Sequence, residues 1–142
     1  MWRGVVLVLS TLVAGCVQLP LTPEDIQARK FESVPGKAVI YVVRDAPDYS
    51  AVAAPIWLGE KLKITTYPGN YFRWEVPAGT HRIAGVGADT GQITVDAQSG
   101  RIYFVQQRVN LVGRSTGSSY FEHATEANGK AVVLRSVLLT TP

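Results

Sequence analysis

The sequence predicts a mainly β protein, namely a small antiparallel β-sandwich-like domain with one C-terminal helix. Short segments rich in β-branched and aromatic residues fill the middle of the chain, and turn signals of Pro, Gly and Asn separate them at the spacing of a sandwich. One helical periodicity occurs near the C-terminus. The chain has 142 residues, of which 46% are hydrophobic and 18% charged, so it is long enough for one domain with a hydrophobic core.

The first residues are predicted to form an export signal. Arg3 supplies a positive charge, residues 4–14 contain no ionisable side chain, and Gly15-Cys16 follows directly. A membrane-spanning helix needs about 20 apolar residues, so this run is too short to cross a bilayer. An ordinary signal peptide followed by a buried free cysteine is the alternative interpretation.

Residues 12–16, Leu-Val-Ala-Gly-Cys, resemble the lipobox of bacterial lipoproteins. The resemblance implies that residues 1–15 are a signal peptide, that cleavage follows Gly15, and that lipid is attached to Cys16, the only cysteine of the chain. Each buried CH₂ of such lipid contributes about 0.8 kcal/mol, so two or three acyl chains hold a protein on a membrane. Because Val17 is not aspartate, the resemblance further implies the periplasmic face of the outer membrane in a Gram-negative cell.

A tether is expected between the lipid and the domain. Residues 16–36 contain three prolines and no sustained periodicity, so we predict that they space a β-rich domain of residues 37–142 from the membrane. Within them, Thr22 is suited to be the N-cap and Pro23 the first residue of a short helix that continues through Arg29.

The strands follow in order. Residues 38–43 are continuously apolar, which favours a strand buried on both faces. Gly59, between residues 55–58 and 60–65, indicates a hairpin or a bulge near a short turn. In residues 71–76, Phe72, Trp74 and Val76 alternate with polar positions, so Phe72 and Trp74 are expected in the core. Further strands are predicted at residues 82–86, 92–95, 101–109 and 120–124, with a Gly/Ser-rich loop at residues 112–119.

The predicted helix lies near the C-terminus. Ala127, Ala131, Leu134 and Leu138 recur at helical spacing behind Thr125, a suitable N-cap. Gly129 inside this segment should weaken the helix by about 1 kcal/mol.

Several short motifs in the same order resemble the bacterial lipoproteins grouped as DUF2846, a domain family of unknown function. The motifs are Pro35-Gly36-Lys37-Ala38, Gly69-Asn70-Tyr71-Phe72, Val76-Pro77-Ala78-Gly79-Thr80-His81 and Ser99-Gly100-Arg101-Ile102-Tyr103-Phe104-Val105. The similarity covers about residues 35–139, and Ala78 stands where the family usually has a second proline. It implies a small β domain and transfers no catalytic residue.

The sequence shows no constellation typical of catalysis or metal binding. His81, His123, Glu75, Glu122 and Asp89 are the candidate metal ligands, but they lack the spacing of known sites, and we expect neither metal nor cofactor. No serine lies in a nucleophile elbow. The 14 basic and 11 acidic residues are interspersed, which is not the pattern of a nucleic-acid-binding surface.

Aromatic residues beside a turn form the candidate recognition patch. Tyr67 and Tyr71 flank Pro68-Gly69-Asn70, with Arg73 close by, so Tyr67, Asn70, Tyr71 and Arg73 are candidates for contacting a glycan or a protein. The alternative is that these tyrosines support the core. His81 is expected to complete the preceding turn with a backbone hydrogen bond.

We therefore expect an exported protein, anchored to a membrane through Cys16, whose non-enzymatic β domain contacts an envelope protein or glycan. The alternative is a hydrolase or other envelope enzyme that acts on cell-wall material. A cleft holding two close carboxylates, or a histidine and a carboxylate, would favour that alternative.

Overall fold

Two β-sheets packed face to face form the body of the protein in a computed structural model, which describes residues 19–87, 90–112 and 116–141. The mainly β, sandwich-like prediction is confirmed. Cys16, Gly15 and Asp89 lie outside the described residues. The elements are α1 (Pro23–Ala28), β1 (Ala38–Arg44), β2 (Ala54–Leu58), β3 (Leu62–Thr66), β4 (Asn70–Val76), β5 (Gly79–Gly85), β6 (Gln92–Ala97), β7 (Ile102–Val112), β8 (Thr116–His123), α2 (Glu126–Leu134) and β9 (Val137–Leu138).

The two sheets differ in their pairing. The smaller sheet has the order β3-β2-β5-β6 and is antiparallel throughout. The larger sheet has the order β8-β7-β1-β4-β9 and is mixed, because β1 runs parallel to β7 and β4 runs parallel to β9. The purely antiparallel arrangement expected from the sequence therefore holds for only one of the two sheets.

Strand β1 is buried on both faces, as its composition predicts. Ile40 and Val42 face the smaller sheet and belong to the core between the sheets, together with Phe72 and the partly buried Trp74. On the opposite face, Tyr41 and its neighbours pack against the two helices. The molecule thus has a third layer of helices over its larger sheet, which explains why no polar residue interrupts β1 before its last position.

The short helix α1 begins where the sequence predicts, since the Thr22 hydroxyl accepts a hydrogen bond from the Asp25 N–H at 3.2 Å. Its surroundings differ from the expectation of a tether. Ala28 is buried, its carbonyl accepts a hydrogen bond from the Tyr41 hydroxyl at 2.7 Å, and Phe31 packs on the same cluster. From residue 23 onward, the predicted tether of residues 16–36 packs against the domain.

The predicted Gly/Ser loop of residues 112–119 is also different in the structure, because β8 already begins at Thr116. Gly117 pairs with Leu111 inside the sheet. A Cβ at Gly117 would lie 2.7 Å from Val109 Cγ1 and 2.9 Å from Val52 Cγ2. The close packing at this position therefore requires glycine, which has no side chain.

Helix α2 is capped by Thr125 as predicted, with the Thr125 hydroxyl accepting from the Asn128 N–H at 3.2 Å. Its predicted apolar face is wrong, however. The helix buries Gly129, Val132 and Val133, whereas Leu134 is exposed. The helix turns its glycine to the sheet because Phe104 occupies the space that a side chain would need. Of the remaining predicted members, Ala127 and Ala131 are exposed and Leu138 belongs to β9.

Two turn predictions are confirmed. Gly59 has a positive φ of 65° in the hairpin between β2 and β3. The Nε2 atom of His81 lies 2.7 Å from the Pro77 carbonyl, and because a carbonyl can only accept, Nε2 is the donor.

Candidate functional site

The four residues of the predicted recognition patch do not share one surface. Tyr67 is 52% exposed, and Asn70 accepts a hydrogen bond from the Tyr67 N–H through its side-chain oxygen at 3.1 Å. Tyr71 is only 1% exposed, so its proposed role in a solvent-facing patch is wrong. Side chains alternate along β4, and the helices cover the face on which Tyr71 lies. Arg73, on the same strand, is partly buried and lines a cleft.

Tyr71 instead belongs to a buried network centred on Asp25. The Tyr71 hydroxyl donates to Asp25 Oδ1 at 2.7 Å, Arg29 Nε donates to the same oxygen at 2.5 Å, and the Leu138 N–H donates to Oδ2 at 3.2 Å. Arg29 also donates to the carbonyls of Leu134 and Ser136, both at 2.7 Å. One carboxylate therefore fixes α1 to β4 and β9.

The titration of this network follows from its contacts. Burial acts to raise the pKa of Asp25, but the hydrogen bonds from Arg29, Tyr71 and the Leu138 N–H together hold that pKa below its usual value. Burial, together with the neighbouring Asp25 carboxylate, raises the pKa of the Tyr71 hydroxyl. The sequence marks Asp25 only as an acid in the first turn of a helix, and no local signal shows that it is buried.

A cleft of about 710 Å³ lies beside this network. It is bounded by α1 and the segment after it, by β4, and by the residues that follow β9. Its apolar lining comes from Ala28, Val34, Phe72, Leu138 and Leu139, and its polar lining includes Glu24, Gln27, Glu32, Arg73, Glu75 and Thr140. The cleft thus combines apolar surface with groups able to form hydrogen bonds and ion pairs.

One wall of the cleft is an open strand edge. Strand β9 pairs only with Asn70 and Tyr71, and within the described ranges no strand continues along the remainder of β4. The Val137 N–H donates to the Gly69 carbonyl and the Leu139 N–H to the Tyr71 carbonyl, both at 2.8 Å. Main-chain groups alternate in direction along a strand, so those of Arg73 and Glu75 also point away from β1 and toward the cleft.

The two walls of the cleft differ in charge. On the strand side, Glu75 accepts a hydrogen bond from Arg73 at 2.6 Å and lies 3.9 Å from the Lys37 ammonium group. On the helix side, Glu24 and Glu32 form no ion pair with any described residue, and Glu32 only accepts a hydrogen bond from Gln27. The strand wall is therefore close to neutral, while the helix wall carries two unpaired negative charges.

A second polar cluster supports the fold near the other end of β1. The side chain of Arg44 is fully buried and donates to Asp48 Oδ2 at 2.7 Å, to the Thr66 carbonyl at 2.9 Å and to the Ser50 carbonyl at 2.7 Å. The Thr66 hydroxyl continues the network to Gln107. The sequence predicts only a turn at residues 44–48, because burial of this ion pair depends on strands remote along the chain.

The candidate metal ligands within the described ranges do not form a cluster. In the part of the chain that the structure describes, no three His, Cys, Asp or Glu side chains lie close enough together to hold a metal ion. Asp25, Asp45 and Glu126 have lowered pKa values, which is the direction opposite to that of a general acid in glycoside hydrolysis. Among the same described residues, no helix has the length and apolar character to cross a bilayer.

Comparison with known proteins adds no relative. The sequence matches no model of a known protein family, and no curated protein is detectably similar to it. The resemblance to the DUF2846 lipoproteins therefore stays a prediction from short motifs.

Proposed function

We propose that this protein is a lipid-anchored envelope protein, similar to the DUF2846 lipoproteins, whose non-enzymatic β domain binds an extended segment of a partner protein. The cleft beside β4 is the proposed binding site. The observation that carries the proposal is the open edge of β4 inside a cleft that also offers apolar surface. The anchor rests on the lipobox-like residues 12–16, which predict export and lipid on Cys16.

An open edge selects a peptide by its main chain. No described strand pairs with the outward N–H and C=O groups of Arg73 and Glu75. These groups repeat at the spacing of a strand, and another extended chain would satisfy them at that same spacing. Side chains of the added strand would alternate between the apolar floor and the solvent. A glycan offers no such repeat of alternating donors and acceptors, so these groups favour a protein partner.

The charges restrict the partner further. Glu24 and Glu32 line the helix side of the cleft, and neither forms an ion pair with any residue that the structure describes. An added strand that carries lysine or arginine would bring a positive charge into the cleft that these two carboxylates line. We therefore expect the bound segment to be both extended and basic, with an affinity that falls as the salt concentration rises.

The test uses synthetic peptides of about ten residues in which apolar positions alternate with either lysine or glutamate. Binding to the full-length protein is measured by fluorescence anisotropy. We expect the lysine peptides to bind and the glutamate peptides to bind at least about ten-fold more weakly, a difference of about 1.4 kcal/mol.

Two matched variants locate the site. Glu75→Pro removes the outward N–H at an edge position where proline is tolerated, whereas Glu75→Ala removes the same carboxylate and keeps the N–H. Binding should be lost in the proline variant and retained in the alanine variant. Equal binding by the two variants, or no difference between the peptide classes, would contradict the proposal. Release of cell-wall fragments by the protein would favour the hydrolase alternative instead.

The anchor has its own test, which is the mass of the mature protein purified from membranes. We expect an N-terminal cysteine that carries two or three acyl chains. A soluble mature protein with an unmodified thiol would show that the lipobox interpretation is wrong.

A further inference from the structure

A group of exposed apolar side chains lies at the end of the molecule where the described chain begins. Leu19, Leu21 and Ile26 are 86%, 43% and 51% exposed, and Leu134 and Val137 are 55% and 60% exposed. These five residues are named the N-terminal apolar surface. They make up half of the ten exposed large hydrophobic residues in the described part of the chain, which is a concentration that calls for a physical explanation.

Arg29 links α1 to the chain segment that carries Leu134 and Val137. Ile26 lies three residues before Arg29, so the two side chains share one side of α1. The Arg29 guanidinium donates to the carbonyls of Leu134 and Ser136, which places the end of α2 and the start of β9 beside that side of the helix. Leu19 and Leu21 lead directly into α1. The surface is therefore contributed by α1 with the residues before it, by the end of α2 and by the start of β9, which lie next to one another in the fold.

The same end of the molecule includes two residues of the predicted recognition patch, Asn70 and Tyr67. The Val137 N–H donates to the Gly69 carbonyl at 2.8 Å, and Val137 pairs with Asn70. Tyr67 precedes these residues in the same turn and is half exposed. A tyrosine with an exposed ring and a polar hydroxyl suits the boundary between an apolar phase and water.

The short chain between the predicted lipid and the domain limits what can cover this surface. An extended chain spans at most about 3.3–3.6 Å per residue, so the three residues from Cys16 to Leu19 cover at most about 11 Å and the seven from Cys16 to Pro23 at most about 25 Å, whatever their conformation. Helix α1 cannot move away from the sheet without breaking the Asp25 network. Lipid on Cys16 would consequently hold the domain with α1 close to the bilayer.

We propose that the N-terminal apolar surface lies against the lipid bilayer, with Leu19, Leu21 and Ile26 in the interfacial region and Tyr67 at its border. The inference rests on the proposed lipidation of Cys16 and extends it. The anchor decides which membrane the protein occupies, and this surface decides how the domain is oriented on it. We assign a lipid surface as the occupant because Cys16, the proposed site of the acyl chains, precedes Leu19 of the N-terminal apolar surface by only three residues.

The experiment uses the full mature lipoprotein, reconstituted in vesicles of phosphatidylcholine and phosphatidylglycerol. Cys16 is the only cysteine, and acylation consumes its thiol, so Val137→Cys introduces a single site for an environment-sensitive fluorophore. Thr94→Cys is the matched control, because Thr94 is an exposed strand residue on β6 of the other sheet. Spin-labelled lipids in the vesicles quench fluorophores that touch the bilayer.

We expect several-fold stronger quenching and a blue-shifted emission at position 137 compared with position 94. The double substitution Leu19→Ser with Leu21→Ser should reduce the quenching at position 137, whereas Leu111→Ser, an exposed leucine on β7, should not. Equal quenching at positions 137 and 94 of an acylated, vesicle-bound protein would overturn the inference and leave the anchor intact. Protein that stays in solution without acyl chains would instead refute the proposed function.

Discussion

Replacing Gly129 with alanine is expected to destabilise the protein, although the same change usually stabilises a helix. Alanine has the higher helix propensity, by about 1 kcal/mol. In this fold Gly129 faces the larger sheet, and a Cβ at this position would lie 2.5 Å from Phe104 Cβ and closer still to Cγ and Cδ1 of the ring. The tertiary clash therefore opposes the local preference.

The magnitude follows from how little Phe104 can move. The Phe104 ring packs against Tyr41 with centroids 5.2 Å apart and against Phe31 at 6.1 Å, and the approached atoms include its Cβ, next to the backbone. Inserting a methyl group into such a core costs about 3 kcal/mol at the upper end of the usual range. After the gain of about 1 kcal/mol in propensity, the free energy of unfolding should fall by about 2 kcal/mol. For a domain of this size, Tm should fall by about 8 °C.

The assay is urea and thermal unfolding followed by circular dichroism. Ala131→Gly is the control, since Ala131 is an exposed position of the same helix where only propensity acts and the loss should be about 1 kcal/mol. Combining Gly129→Ala with Phe104→Leu should cost less than the sum of the two single substitutions. An increase in Tm for Gly129→Ala would refute the reasoning, because it would mean that the helix does not approach the sheet as closely as described.

Three further predictions concern charges and caps. Asp48→Ala should lower the free energy of unfolding by about 3–5 kcal/mol, because it leaves the fully buried Arg44 guanidinium without its carboxylate. The control Asp45→Ala breaks an exposed pair and should cost less than about 1 kcal/mol in the same urea titration. Similar losses in the two variants would argue against the buried pair. Asp25 has a lowered pKa in the folded state, so it contributes stability above about pH 4 that is lost as the pH falls through that pKa. The free energy of unfolding of Asp25→Asn should therefore change less between about pH 6 and pH 3 than that of the wild type. An unchanged pH dependence would contradict this assignment. Thr125→Ala should cost about 1 kcal/mol through loss of the cap on α2, and an effect near zero would indicate that water replaces the hydroxyl.

The local features of the fold were predictable from the sequence because their causes are local. Thr22 and Thr125 cap their helices through hydrogen bonds three residues away, and Gly59 has the positive φ that its hairpin requires. The apolar run of β1 and the alternation in β4 likewise reflect side-chain periodicity, which is independent of strand order. These features were sufficient to predict the class of fold.

The candidate site was only partly predictable. The sequence indicates Arg73 as a candidate, and Arg73 does line the cleft, but Tyr71, two residues earlier, is buried because helices cover that face of β4. The sequence does not indicate Glu24 and Glu32 as candidates, because both lie in the predicted tether. Only the packing of α1 on the sheet brings them to the cleft. The cleft also depends on how far β9 follows β4, and β9 in turn contacts Asp25 through the Leu138 N–H, 113 residues apart in sequence, which no local pattern predicts.

By itself, the sequence determined where the two helices begin and where most of the strands lie, which residues are apolar enough to be buried, and that a lipobox-like motif precedes the domain. Tertiary structure alone decided that α1 belongs to the domain, that Gly129 is needed for close packing, and that one edge of β4 stays open. The physical reason is the distance along the chain over which each interaction acts. Capping, turn conformation and side-chain alternation act within a few residues, whereas burial, steric fit and strand neighbours depend on residues that only the folded chain brings together.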